Sequence, residues 1–213
     1  NRYPCVQKAD ADGNVLWGEN GIRLSNHKAV WDLMAPISFL NMSYDSDGNI
    51  NFFWAPGYAE NVDRTEEFKG TFMQKVDPLS GELLFDSTGI KIIDENAVSV
   101  LEGKDNNYFI FNFPGNLFIE PEIINIDEDG NKLWSIKPLG DKRPQGIRAY
   151  INSKGDIQFI LYKKLWYIYA NGEIKFKDRE IEPWHNNGFF SKWENDMYIS
   201  VSNEDIYLSL IHI

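Results

Sequence analysis

After Gly48 the chain reads Asn49-Ile50-Asn51-Phe52, and after Gly155 it reads Asp156-Ile157-Gln158-Phe159. Polar and apolar positions alternate in both, the period of a strand with two different faces. Met42-Ser43-Tyr44 and Ala149-Tyr150-Ile151 precede them, so each set predicts a β-hairpin. Val98 to Phe113, turning near Asp105-Asn106-Asn107, fits the same slot, as does Gly188 to Val201, turning near Glu194-Asn195-Asp196. A second kind of hairpin alternates with the first. Its copies run Val6 to Asp10 then Val15-Leu16-Trp17, Met73 to Asp77 then Leu83-Leu84-Phe85, and Ile123 to Asp127 then Lys132-Leu133-Trp134. A fourth, weaker copy joins Trp166 to Tyr169 with Ile174-Lys175-Phe176.

One short unit runs through all of this: a glycine, three residues, then an aromatic. It occurs at Gly13/Trp17, Gly48/Phe52, Gly81/Phe85, Gly130/Trp134, Gly155/Phe159 and Gly172/Phe176. A hairpin stamped repeatedly into one chain predicts an all-β fold, a β-propeller of four-stranded antiparallel blades. Two hairpins make a blade, so the chain carries about four blades' worth of strand. It starts and ends out of phase. Either the terminal strands share one blade and residues 1–213 form a single domain, or the chain is part of a larger propeller. Helical periodicity is nearly absent. The best helix candidate is Ala29 to Met34, ended by Pro36.

Composition narrows the partners. A net charge of −11 and a pI near 4.7 argue against nucleic acid and anionic membranes, which need clustered Lys and Arg. No apolar run approaches the roughly 18 residues of a membrane-spanning helix. The aromatic share of 15% suits sheets packed on sheets. A single cysteine, Cys5, excludes an internal disulfide and is expected to be a buried, inert thiol.

Asp10-Ala11-Asp12-Gly13-Asn14 recurs as Asp45-Ser46-Asp47-Gly48-Asn49 and as Asp127-Glu128-Asp129-Gly130-Asn131. Alternating carboxylates resemble the start of a calcium loop, but the third ligand before the glycine and the downstream bidentate Glu are not at the right spacing. A tight turn explains the same residues: Asp accepts backbone N–H groups and Gly takes the left-handed conformation. The repeated aromatics are expected to pack blade on blade rather than to form a sugar platform.

His27, His185 and His212 show no metal-ligand spacing, and no nucleophile elbow or phosphate loop is present. Neither metal nor cofactor is expected. With 32 acidic residues, sequence alone leaves a catalytic carboxylate pair open. Binding residues are sought in the irregular segments. Asn26 to Pro36 carries Trp31 and Asp32, Ala55 to Gly70 carries Tyr58 and Arg64, and Asp178 to Asn187 carries Trp184 and His185. Each mixes an aromatic with hydrogen-bonding groups, as a sugar or peptide site would.

Gln7, Lys8, Asp10, Gly13, Trp17 and Gly21 resemble the repeat of secreted and cell-surface propellers of the Bacteroidetes type, Gln-Lys-x-Asp-x-x-Gly-x-x-x-Trp-x-x-x-Gly. Met73 to Ile92 matches with Phe85 for Trp and one extra turn residue. Asn125 to Trp134 matches only the core, and the last copy lacks the Asp. The turn also looks like the Asp-box of sialidase-type propellers without its Ser and Thr. The resemblance implies an exported protein, secreted or at the cell surface, periplasmic or anchored at the outer membrane, and nothing catalytic. The expected function is therefore a non-catalytic propeller binding a glycan or a surface protein. The alternatives are a polysaccharide hydrolase or lyase with carboxylates at the propeller axis, and a structural segment of a larger repeat protein.

Overall fold

The computed structural model describes residues 3–26, 38–55, 70–95, 97, 99–112, 122–137, 148–161, 164–180, 188–193, 196–202 and 206–210. The described residues are all-β, in antiparallel sheets that follow one another along the chain. A short pair, β1 (Cys5–Val6) and β2 (Ile22–Arg23), comes first. The first full sheet is β3 (Ser38–Tyr44), β4 (Ile50–Ala55), β5 (Thr71–Val76) and β6 (Ile90–Ile93). The second is β7 (Ser99–Glu102), β8 (Tyr108–Asn112), β9 (Glu122–Ile126) and β10 (Lys132–Ile136). The third is β11 (Arg148–Ile151), β12 (Ile157–Leu161), β13 (Lys164–Ile168) and β14 (Ile174–Glu180). Three strands, β15 (Gly188–Trp193), β16 (Asp196–Ser202) and β17 (Ile206–Leu210), form the last sheet. In every full sheet the strands lie in chain order, an up-and-down meander. β3 also lies against β7, the first strand of the next sheet. The arrangement is propeller-like, as the hairpin repeat predicts.

Three apolar clusters hold the stack together, each between two sheets. Ile50, Phe52, Trp54, Phe72 and Val76 of the first full sheet meet Val6, Trp17, Ile22 and Leu24. Phe53 and Met73 on its other side meet Val100, Tyr108, Ile110, Ile124 and Ile126 of the second. Phe109, Phe111 and Ile123 then meet Ile157, Phe159, Trp166 and Ile168 of the third. Strand periodicity sends successive residues of β4 and β8 into different clusters. Each large apolar side chain so buried contributes about 1.5–3 kcal/mol. The polar positions of the alternating strands are not a solvent face. Asn51 is 0% exposed and Gln158 5%.

Two expectations change. The residues after the turns 10–14 and 77–82, Val15 to Trp17 and Leu83 to Phe85, are not strands. Each makes one isolated bridge, Ala9 to Val15 and Val76 to Leu83, and pairing resumes only at β2 and β6. Cys5 is exposed rather than buried, and among the described residues β1 pairs only with β2. The helix candidate Ala29 to Met34 lies outside the described residues.

Candidate functional site

Antiparallel order gives the stack two unlike ends. Among the described residues the hairpin turns of the kinds read from sequence (10–14, 45–49, 77–82, 103–107, 127–131, 152–156 and 169–173) lie at one end. The connections from β2 to β3, β4 to β5, β6 to β7, β8 to β9, β10 to β11 and β14 to β15 leave from the other.

At the turn end the carboxylates are occupied by the fold. Asp10, Asp45 and Asp127 each accept two backbone N–H groups of their own turn through Oδ1. For Asp45 these are Asp47 at 3.0 Å and Asn49 at 2.8 Å. The amides of Asn14, Asn49 and Asn131 donate to the same carboxylates. At Asp10 these bonds to Asn14 hold the carboxyl below its ordinary value. At Asp45 and Asp127 burial pushes upward, and the hydrogen bonds from Asn49 and Asn131 outweigh it. The turn reading of these residues is what the geometry bears out.

Turns also join sheet to sheet. Lys75 Nζ sits 3.2 Å from Asp45 of its own sheet and 2.9 Å from Asp129 of the next. Lys8 Nζ, one repeat earlier, donates to the Pro78 carbonyl at 2.8 Å. Ser46 donates to the Glu128 carboxylate. Burial alone would lower the Lys75 pKa, but the two carboxylates raise it above 10.5. The third sheet rebuilds the within-sheet part of this contact, Lys75 to Asp45, with other residues. Asn152 holds the first turn position, Asp156 the last, and the Tyr167 hydroxyl donates to Asp156 Oδ2 at 2.6 Å. Burial and then the Asp156 carboxylate push the Tyr167 hydroxyl up to about 12.

The repeated aromatics serve the stack too. Gly172 has φ +86°, and a Cβ there would lie 2.9 Å from the Trp134 ring of the preceding sheet. Trp134 Nε1 donates to the Ala170 carbonyl at 3.0 Å. Trp17 and Ile22 meet Gly81 in the same way, and Ile90 and Ile92 meet Gly130. At these three contacts a tryptophan or isoleucine of one sheet meets the next sheet's turn glycine.

The opposite end carries a different constellation. Thr71, fully buried, donates through Oγ1 to the Glu95 carbonyl at 2.9 Å and accepts from Ala97 N at 2.8 Å. This pins the run-in to β7. Asn112, 3% exposed at the end of β8, donates through Nδ2 to Glu95 Oε2 at 3.4 Å, a long bond. Its own Oδ1 is buried without a hydrogen-bond partner. Sequence reasoning missed this pair. The available signal was Asn112 itself, a polar residue closing the apolar run Tyr108 to Phe111, since a buried polar group is the informative kind. Trp31, Asp32, Tyr58, Arg64, Trp184 and His185 lie outside the described residues. The strands that flank their segments all terminate at this same end. Among the described residues no group of three or more His, Cys, Asp and Glu could hold a metal ion.

No protein-family model matches the chain, and no curated protein matches it. Solved structures do. A protein of unknown function from Bacteroides caccae is 18% identical over 89% of this chain and 61% of its own, with a TM-score of 0.48. A gluconolactonase from Xanthomonas campestris is 13% identical over 92% and 61%, with a TM-score of 0.48. A virginiamycin B lyase from Staphylococcus aureus is 15% identical over 98% and 78%, with a TM-score of 0.44. The chain spans about three fifths of the length of the first two. The expectation of a non-catalytic binder is corrected at this point: the neighbours described by an activity are enzymes.

Proposed function

We propose that this chain is a propeller of about four blades' worth of strand that acts on a glycan as a hydrolase or lyase. Its chemistry lies at the end opposite the Asp turns. The observation that carries this reading is the division between the ends. The turn carboxylates Asp10, Asp45 and Asp127 are consumed by their own backbone, whereas Glu95 is held at the other end through Asn112 and Thr71. Asp32 and Glu95 both lie in connections that lead into first strands, β3 and β7, and those strands are neighbours. They are the carboxylate pair this reading names, one as general acid and the other as base or nucleophile. Trp31, Tyr58 and Trp184 supply stacking faces for sugar rings, and Arg64 and His185 supply polar contacts. The same reading has the protein exported, secreted or at the cell surface, where polymeric glycans are met.

The test is a panel of neutral and acidic polysaccharides, assayed for new reducing ends and for the ultraviolet absorbance of unsaturated products. Turnover of one substrate is expected, with Glu95→Gln slower by about 100-fold or more. Reducing ends without unsaturation define a hydrolase, and both together a lyase. A panel that stays inert with folded protein sinks the reading, as does full activity in Glu95→Gln and Asp32→Asn.

A further inference from the structure

The interface between β1–β2 and the first full sheet is half built. Ile50, Phe52, Trp54 and Phe72 are buried under the β1–β2 hairpin. β3 continues the same face. Register sets Phe39 opposite Trp54, Met42 opposite Phe52 and Tyr44 opposite Ile50, so all three share that side of the sheet. They are 51%, 62% and 61% exposed.

The equivalent positions elsewhere are covered. Val100 stands opposite Ile110 as Met42 stands opposite Phe52, and it is 2% exposed, lying where β3 meets β7. Ala149, opposite Phe159, packs into the cluster shared with the second sheet. In both cases the first two strands of the preceding sheet provide the cover. That preceding pair is what β1–β2 lacks. β5, β9 and β13, its counterparts in the full sheets, pair on both edges, whereas β1 pairs only with β2 among the described residues. An open edge and an uncovered apolar face therefore adjoin, and both continue an interface already formed.

We infer that this surface receives a two-stranded antiparallel β-hairpin from polypeptide other than residues 1–213. Its second strand pairs with the free edge of β1, and its apolar face covers Phe39, Met42 and Tyr44. The hairpin β15–β16 of this chain fits less well, because the second edge of β16 already carries β17. Strand addition of this kind gives affinity through main-chain hydrogen bonds and specificity through alternate side chains.

Two measurements test the inference. In the unmodified protein, peroxide oxidation read by peptide mass spectrometry should modify Met42 at least 10-fold faster than fully buried Met73, and Cys5 should alkylate readily. If Met42 proves as protected as Met73, the face is already occupied and the inference falls. Protection that fades on dilution then identifies a second copy, and protection independent of concentration identifies β15–β16. The second measurement fuses a duplicate of residues 99–112 (β7–β8) ahead of Asn1 through a flexible linker. Phe111, which pairs with Ile123, then comes opposite Val6. Oxidation of Met42 and alkylation of Cys5 should both slow by about 10-fold. A soluble fusion in which neither rate changes overturns the inference.

Discussion

The hairpins 71–93 and 122–136 occupy the same place in adjacent sheets and differ sharply after their turns. In the second, β10 pairs with β9 from Lys132 to Ile136 with one irregularity. In the first, pairing stops at Leu83 and resumes at Ile90. One position accounts for the difference. Gln74 Oε1 accepts from Lys75 N and Phe85 N, while its Nε2 donates to the carbonyls of Asp86 and Leu24. The side chain takes over bonds that a fourth strand would have made. Ile124 stands in its place in the second hairpin, can make no such bonds, and the backbone pairs instead. Gln7 repeats the pattern, accepting from Lys8 N and Trp17 N and donating to the Gly18 carbonyl. A side-chain amide, buried at Gln74 and exposed at Gln7, thus accompanies each interrupted outer strand.

The largest expected effect tests the detour's second requirement. At Gly89, φ is +72°, and a Cβ would lie 2.7 Å from the Met73 carbonyl oxygen and 2.8 Å from the Trp54 ring. Gly89→Val should cost about 4 kcal/mol, from backbone strain plus displaced core. Denaturant titration measures it. Ser135→Val, in the continuous strand of the other hairpin, should change stability by less than about 1 kcal/mol. Equal losses at the two sites would mean the hairpins do not differ as described.

Next in size is the contact between sheets. Lys75→Met leaves the Asp45 carboxylate, whose side chain is 1% exposed, without its cation. About 3 kcal/mol should be lost, and Lys75→Met with Asp45→Asn should recover much of it. Because the Asp45 pKa is lowered on folding, its contribution is present above its ordinary value of 3.8 and fades as pH falls through the folded value. The wild type should therefore lose more stability than the double variant on acidification from about pH 5. The corresponding change at Asn125, the Lys75 position of the second sheet, removes no ion pair and should cost less.

Much of this architecture was legible in the chain. Asp-x-Asp-Gly-Asn located three turns, and strand periodicity located β4, β8 and β12, because turn chemistry and sheet burial act over a few residues. The Asp105-Asn106 turn was also found without a glycine, and both residues adopt positive φ, 59° and 57°. What escaped was set between sheets. The outer-strand detour depends on Gln74 reaching Leu24 of another sheet, and Glu95 meets Asn112 only once the second sheet has formed. Cys5 misled because an apolar thiol in a strand reads as core, whereas it lies exposed on the short β1–β2 pair.

Exchanging the Gln74 amide is the more direct test of the comparison. Gln74→Ile should cost about 2 kcal/mol, since the backbone groups of Lys75, Phe85 and Asp86 lose their partner and Gly89 keeps the detour in place. Hydrogen exchange at Phe85 N should accelerate, while that at Met73 N stays slow. If Gln74→Ile instead restored a continuous strand with no loss of stability, the glycine would be irrelevant to the detour.

The smallest effect belongs to the third sheet, where Tyr167 stands at the Lys75 position. Tyr167→Phe should cost about 1 kcal/mol at neutral pH, because Asp156 keeps the Asn152 amide and Ala170 N as donors. Its signature is the pH dependence. The hydroxyl pKa rises from 10.0 to about 12 on folding, so the folded chain keeps a proton that the unfolded chain has released. The contribution is complete below pH 10.0 and is lost as pH rises toward about 12. Lys75, also raised, declines in the same direction in both proteins, so the informative quantity is the difference between wild type and Tyr167→Phe. That difference should be constant from pH 6 to 9 and shrink above 10. A gap that widens with alkalinity would mean that folding favours the phenolate, which a hydroxyl donating to the Asp156 carboxylate does not allow.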